Sequence, residues 1–236
     1  MSQSNRAPWI AAIGGGIVGA ALTGGALFLA GPSLLGDRMV RDALMANPQM
    51  LVEAGNALRE QQFAETLNPI RASVERPFHS SWKGAEKPEV TLTYFYDYAC
   101  GYCRQSNPDI ERLLKEDKGL RVVYRELPIL GPDSVAAARV SLAASRAGKF
   151  AAYHDALYAA GRPGPETIAL AARTAGVPAQ PADDPAQEAE LKANMTLASQ
   201  LGATGTPLFV IGDRVINAAV GYEGLKEAVK AARSKG

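Results

Sequence analysis

Cysteine and histidine are nearly absent from this chain of 236 residues, which has two of each and five methionines. Two cysteines cannot staple a small disulfide scaffold. So few histidines and methionines exclude a metal-rich storage protein. An excess of either charge is also missing. Arg6 is the only charged residue before Asp37, and the other 24 of the 25 basic residues stand against 24 acidic ones. The body is therefore neutral and lacks the basic footprint that nucleic-acid binding needs, so no nucleic-acid partner is expected. What is present is an ordinary globular balance, 47% hydrophobic and 21% charged. That suffices for one domain with a large insertion, or two small ones.

Charge is missing locally as well. Trp9 to Ala30 is apolar or Gly except for Thr23. As a helix this run would span about 33 Å at about 1.5 Å per residue, against a hydrocarbon core of about 30 Å. Two readings compete, a cleaved signal peptide and a retained anchor. The run exceeds a signal h-region of about 7–15 residues, and Phe28 fits poorly at the −3 position of a cleavage after Ala30. Gly24-Gly25-Ala26 would fit better but lies inside the run. The anchor is favoured. A helix buried in a soluble fold would be weakened by Gly14-Gly15-Gly16. Arg6 ahead of the run places the body outside the cytoplasm, where disulfides persist. Residues 1–36 are thus expected to be a signal-anchor or transmembrane segment.

Residues 37–67 read as helix, broken near Asn47-Pro48. Leu51, Ala54 and Leu58 share one face, over barely two heptads. A coiled coil and a helix packed on its own domain are both open. Asn68 to Pro88, with three prolines and Gly84, reads as a linker with short turns. The compact domain is expected over 89–236. Glu89 to Asp97 (EVTLTYFYD) reads as a buried strand, Cys100 to Lys118 as a helix kinked at Pro108, and Leu120 to Leu127 as a second strand. This is a βαβ unit with a parallel pair. A helical block follows over about 132–202. Pro207 to Ile211 and Arg214 to Val220 then read as a hairpin turned at Gly212-Asp213, and Tyr222 to Ser234 as a closing helix. The fold class is α/β, with one mixed sheet carrying a helical insertion.

The chemistry is expected at Cys100-Gly101-Tyr102-Cys103, after a strand and at the start of a helix. There the free N–H groups and the helix dipole favour an anion. The thiolate is the reactive form of cysteine, so the position activates Cys100. Cys103, three residues on, lies on the same face and can reach it. Gly101 leaves the first turn open, and Tyr102 is a candidate modulator. A structural disulfide would close only a tiny loop and constrain the unfolded chain little. A zinc or copper site usually needs four ligands, and only His79 and His154 could join the cysteines. The second feature is Gly205-Thr206-Pro207 at a strand entrance. A cis bond there would expose the Thr206 backbone to pair with a bound peptide, although a trans proline is the commoner case.

The stretches Phe95 to Cys103 (FYDYACGYC), Arg125 to Ser134 (RELPILGPDS) and Gly205 to Gly212 (GTPLFVIG) resemble the DsbA-like thiol–disulfide oxidoreductases of the thioredoxin superfamily. The resemblance covers about Glu89 to Ala232. It implies a thioredoxin-like fold with a helical insertion, a cis Thr206–Pro207 bond beside the cysteines, and Cys100 as attacking and Cys103 as resolving thiol. With the N-terminal segment, the expected location is the periplasmic side of the inner membrane, anchored, or the periplasm if the segment is cleaved. The segment Val40 to Thr66 is similar to the N-terminal extension of members such as suppressor-of-copper-sensitivity protein C, some of which oligomerise through it. Gly-Tyr between the cysteines and Thr before the proline resemble disulfide isomerases such as DsbC. A potential less oxidising than the roughly −120 mV of the archetypal oxidase is therefore expected.

Other candidates are weaker. Glu126 is a candidate proton relay near Cys103, or a surface charge at a strand end. Asp97 and Tyr98 line a groove or pack. His154 reads as structural and Arg104 as solvated. The reading that follows is an exported oxidase or isomerase. It exchanges disulfides with client proteins through Cys100 and Cys103, holds the client at Gly205, Thr206, Pro207 and Tyr102, and is recycled by a membrane redox partner. No diffusible cofactor and no metal is expected, and residues 37–67 are a candidate oligomerisation segment. The competing class is a copper- or zinc-binding thiol module without redox catalysis.

Overall fold

A computed structural model describes residues 36–234. The apolar run 9–30, and with it the expected membrane segment, lies outside the described residues. Among the described residues no helix is long and apolar enough to cross a membrane. The chain divides into two compact units, Met1–Ala57 and Leu58–Gly236.

In the first unit, helix α1 covers residues 36–46 and α2 (Gln49–Leu67) begins after the expected break. Asn47 N–H still closes on Ala43 O at 2.9 Å, but Pro48 has no N–H to continue the ladder. Met39, Met45, Leu51 and Val52 are exposed.

The second unit is built on a five-stranded sheet in the order β1-β3-β2-β4-β5. The strands are β1 (Trp82–Gly84), β2 (Val90–Tyr96), β3 (Leu120–Glu126), β4 (Leu208–Ile211) and β5 (Arg214–Ile216). β2 and β3 are parallel, joined by α4 (Gly101–Glu116); every other pair is antiparallel. β2 is central and apolar on both faces because both are covered. Val90, Leu92, Tyr94 and Tyr96 point into a core shared with α4, the closing helix α9 (Gly221–Arg233), and α5 (Pro132–Arg146), α6 (Phe150–Ala160) and α7 (Pro165–Ala175) of the insertion. Phe95 points the other way, into a second core with Leu67, Val74 of α3 (Arg71–Glu75), and Leu197 and Leu201 from the end of α8 (Pro185–Gln200). The insertion therefore covers both faces of the sheet.

Two local expectations are corrected. The stretch 68–88, read as a linker, supplies α3 and the edge strand β1, whose Trp82 pairs with Val123. A strand of three residues and a helix of five are too short to show a period. Arg71 also holds this stretch to the β4–β5 turn, donating to Gly212 O at 2.7 Å and Asp213 Oδ1 at 2.6 Å. The last strand ends at Ile216 instead of Val220. Asn217 turns its side chain to accept from Thr204 N–H at 3.3 Å, which draws the following residues off the ladder.

Candidate active site

β2 delivers the chain to the head of α4. Just past its end, Asp97 is buried, and its carboxylate accepts from Ala99 N–H (2.7 Å), Ile129 N–H (2.8 Å), Leu130 N–H (2.9 Å) and Ser134 Oγ (2.7 Å). It thus ties the loop before the cysteines to the loop after β3 and the start of α5. Asp97 and Tyr98 pack; they do not line a groove. Tyr98 is buried, with its hydroxyl 3.0 Å from Ser141 Oγ.

Cys100 is the N-cap of α4. Its Sγ accepts from Cys103 N–H at 3.3 Å and lies 3.2 Å from Thr206 O, and both cysteines are free thiols. The Thr206–Pro207 bond is cis. The thiol of Cys103 hydrogen-bonds the Cys100 sulfur, and the Thr206 side chain and the N–H groups of Cys103 and Tyr102 add to it. Together they outweigh partial burial and bring the Cys100 pKa down to about 5. Burial acts in the opposite direction on Cys103, which is wholly inaccessible and whose thiol is pushed far above its ordinary range. One motif therefore favours a thiolate at the nearly buried helix start and a protonated thiol at the wholly inaccessible position beneath it.

Tyr102 is 64% exposed and forms one wall of a groove of about 380 Å³. Thr204 to Pro207 and Asn217 to Ala219 complete it, without a charged side chain. Gly205, Thr206, Pro207 and Tyr102, singled out separately in the sequence, meet here. The wall at Asn217 to Ala219 was not legible, because those residues were read as strand.

Glu126 is buried, not a surface charge. The hydroxyls of Tyr96 and Ser141 bond its carboxylate, yet burial dominates and raises its pKa to about 8. It makes no direct contact with Cys103. The rings of Tyr94 and Tyr96 stack at 5.2 Å, Tyr94 reaching the cysteine and Tyr96 the carboxylate. Arg104 is not solvated. It donates to the carbonyls of Tyr158 and Gly161 and lies 5.2 Å over the Tyr158 ring, so its charge is spent on holding α6 to α4. His154 is buried among Tyr96, Tyr98, Tyr124, Phe150 and Tyr158, where burial lowers its pKa and keeps it neutral. It packs in that aromatic cluster and makes no hydrogen bond to either cysteine. Among the described residues no cluster of three His, Cys, Asp or Glu could hold a metal ion.

The family model for the DSBA-like thioredoxin domain matches residues 91–230, more than half of the chain. This chain belongs to the DsbA-like thioredoxin-domain family. A second family model, the copper resistance protein ScsC N-terminal domain, matches residues 37–65. Among solved structures, a periplasmic thioredoxin-like protein from Salmonella enterica serovar Typhimurium is 32% identical over 71% of this chain and 97% of its own, with a TM-score of 0.65. A linker-deletion mutant of Proteus mirabilis ScsC is 28% identical over 86% of this chain and 96% of its own, with a TM-score of 0.69. Two curated relatives, the Na(+)/H(+) antiporters NhaA 3 of Salinispora tropica and NhaA 1 of Salinispora arenicola, are 34% identical over 79 residues. That match spans 33% of this chain and 12% of theirs. The family is one of thiol–disulfide oxidoreductases acting on the cysteines of client proteins.

Proposed function

We propose that this chain is an exported oxidase or isomerase of protein disulfides, working through Cys100 and Cys103 on the periplasmic side of the inner membrane. The observation that carries the reading is the asymmetry of the pair: Cys100 caps the helix start with its sulfur 3.2 Å from Thr206 O beside the cis proline, and Cys103 lies wholly inaccessible beneath it. The Cys100 thiolate attacks one sulfur of a client disulfide. A Cys100–client bond forms, and the other client sulfur leaves as a thiolate. Cys103 then attacks Cys100, the client sulfur departs, and the pair is left oxidised. Run backwards from the oxidised pair, the same steps give a disulfide to the client. The uncharged groove from Tyr102 to Ala219 holds an extended client segment across Thr206. Glu126, linked through Tyr96, is proposed to move protons at the buried end of the site. The apolar run 9–30 is proposed to anchor the chain beside a membrane partner that resets its redox state.

Redox equilibration against a glutathione series tests this, with Cys103→Ala as control. A reversible two-electron transition above about −180 mV supports donation of disulfides, and one near or below about −270 mV makes the chain a reductase. No reversible transition would overturn catalysis and leave the thiol metal-binding reading.

A further inference from the structure

Attack by Cys103 requires its anion, and so does its departure when the oxidised pair is opened by a client thiolate. The position is a poor place for one. Cys103 is wholly inaccessible, and no described carboxylate or cationic side chain hydrogen-bonds it. The titratable groups that act on it are Cys100 of its own helix, Tyr94 from β2 and Tyr158 from α6, and the backbone N–H of Asp97 also reaches its sulfur, leaving Tyr94 as the side-chain donor. Tyr158 has its hydroxyl engaged with the Asn107 side chain and lies 3.4 Å from Asp97 O. Tyr94 is different. Its hydroxyl donates to Cys103 O at 3.2 Å and is also within hydrogen-bonding reach of the Cys103 thiol. The contact to the carbonyl is long for an O–H donor. A thiolate is the better acceptor, because a hydrogen bond to an ionised partner is about twice as strong as a neutral one.

We infer that Tyr94 is a catalytic residue of the exchange reaction, its phenol turning from the Cys103 carbonyl to the Cys103 sulfur as negative charge develops there. The inference rests on the exchange reaction proposed above. In resolution, the Cys103 proton leaves by way of the Glu126 relay proposed above, since the thiol itself is closed to solvent, and the anion takes the Tyr94 hydrogen bond. The Cys103–Cys100 bond forms, and the client sulfur leaves with the electron pair of the broken Cys100–client bond. In the opposite direction Cys103 is the leaving group, and the same hydrogen bond stabilises it. Tyr94 donates and does not take the proton, since burial holds its own ionisation well above the ordinary phenol range. The alternative is that Tyr94 only packs, stacked 5.2 Å from Tyr96 and 4.9 Å from Phe209.

Tyr94→Phe keeps that stacking and removes the donor. The test uses the full reduced chain with Ellman's disulfide reagent. The first coloured thiolate released reports attack by Cys100, and the second reports resolution by Cys103. In Tyr94→Phe the first release should match wild type. The second should slow about tenfold at neutral pH, and its pH profile should move up by about one unit, as expected for losing one charge-assisted hydrogen bond. The Cys100 titration should not move. Tyr124→Phe, which removes a buried hydroxyl from the next strand, should behave as wild type. 3-Fluorotyrosine incorporated at Tyr94, a stronger donor, should shift the second-release profile downward. A second release within about twofold of wild type, on an unmoved profile, overturns the inference. So does a change in which both releases slow together and the Cys100 titration moves, since that marks a structural role. Wild-type chain that never shows a second release would instead overturn the exchange reaction itself.

Discussion

Cys100 and Cys103 stand three residues apart, and their environments push their acidities in opposite directions. The reduced chain should therefore be alkylated in two stages. Cys100 should react with a midpoint near pH 5, while Cys103 stays unmodified until well above the ordinary thiol range, followed by mass spectrometry across pH. The same shift makes a statement about stability. The folded pKa of Cys100 is depressed, so its contribution is present above the unfolded value of about 9 and is lost as pH falls through about 5. The reduced form should thus gain on the oxidised form, which has no thiolate, as pH rises across that window. Glu126 has the opposite sign. Its folded pKa is raised from 4.5 to about 8, so its contribution is fully present below 4.5 and is lost as pH rises through 8. Glu126→Gln should remove a fall in stability of up to about 1.4 kcal/mol per pH unit in that interval. Urea unfolding of wild type and Glu126→Gln at several pH values checks it. Parallel pH dependences would show that Glu126 is not an ionising group in the fold.

Among the elements, β3 carries the least expected side chain. Arg125 is buried on the face that packs against α3 and α8. It donates to the carbonyls of Ser73, Val74 and Arg76, and to Glu190 and Asn194 at 2.9 and 2.6 Å. It thereby caps the C-terminal end of α3 and fastens α8 to the sheet. Arg125→Ala leaves Glu190 without its cation and those carbonyls without a donor, and should cost about 3 kcal/mol. Thermal unfolding measures it, and a loss under about 1 kcal/mol would mean water replaces the guanidinium. Arg125 also shows the limit of reading this chain in sequence. The β-branched and aromatic run of β2, the run of β3 and the Pro-Gly punctuation of the insertion were legible because each is a local pattern. So was Cys100 at a helix start, and so was the pairing of Gly205-Thr206-Pro207 with the cysteines, through the family resemblance. What was not legible depends on distant partners. Glu126 could be read as a surface charge at a strand end until Tyr96 covered it, and nothing local singled out Arg125 before α3 and α8 packed over it. Arg104 looked solvated because its acceptors, the carbonyls of Tyr158 and Gly161, lie 54 and 57 residues away. The groove wall at Asn217 to Ala219 depended on one side chain reaching back to Thr204.

On the scale of the whole molecule, the question is what the apolar residues of the extension do. Met39, Met45, Leu51, Val52 and Leu58 are all large and more than half exposed. Apolar side chains in such number along two consecutive helices are costly in water, at about 25 cal/mol per Å² left uncovered. Leu51, Ala54 and Leu58 follow a heptad spacing, so a second copy of the same segment would meet like with like. The match of residues 37–65 to the ScsC N-terminal domain supports a dedicated role for this stretch. The chain is therefore expected to self-associate through residues 37–67, and the double substitution Leu51→Lys and Leu58→Lys should break the assembly. Sedimentation equilibrium distinguishes the outcomes. An oligomer that becomes monomeric in the variant, with the Cys100 titration unchanged, supports assembly through the extension. A wild-type chain that sediments as a monomer at every concentration removes it. Release of both Ellman thiolates at wild-type rates from the monomeric variant would further show that each copy carries a complete site. Assembly would then leave the chemistry at Cys100 unchanged.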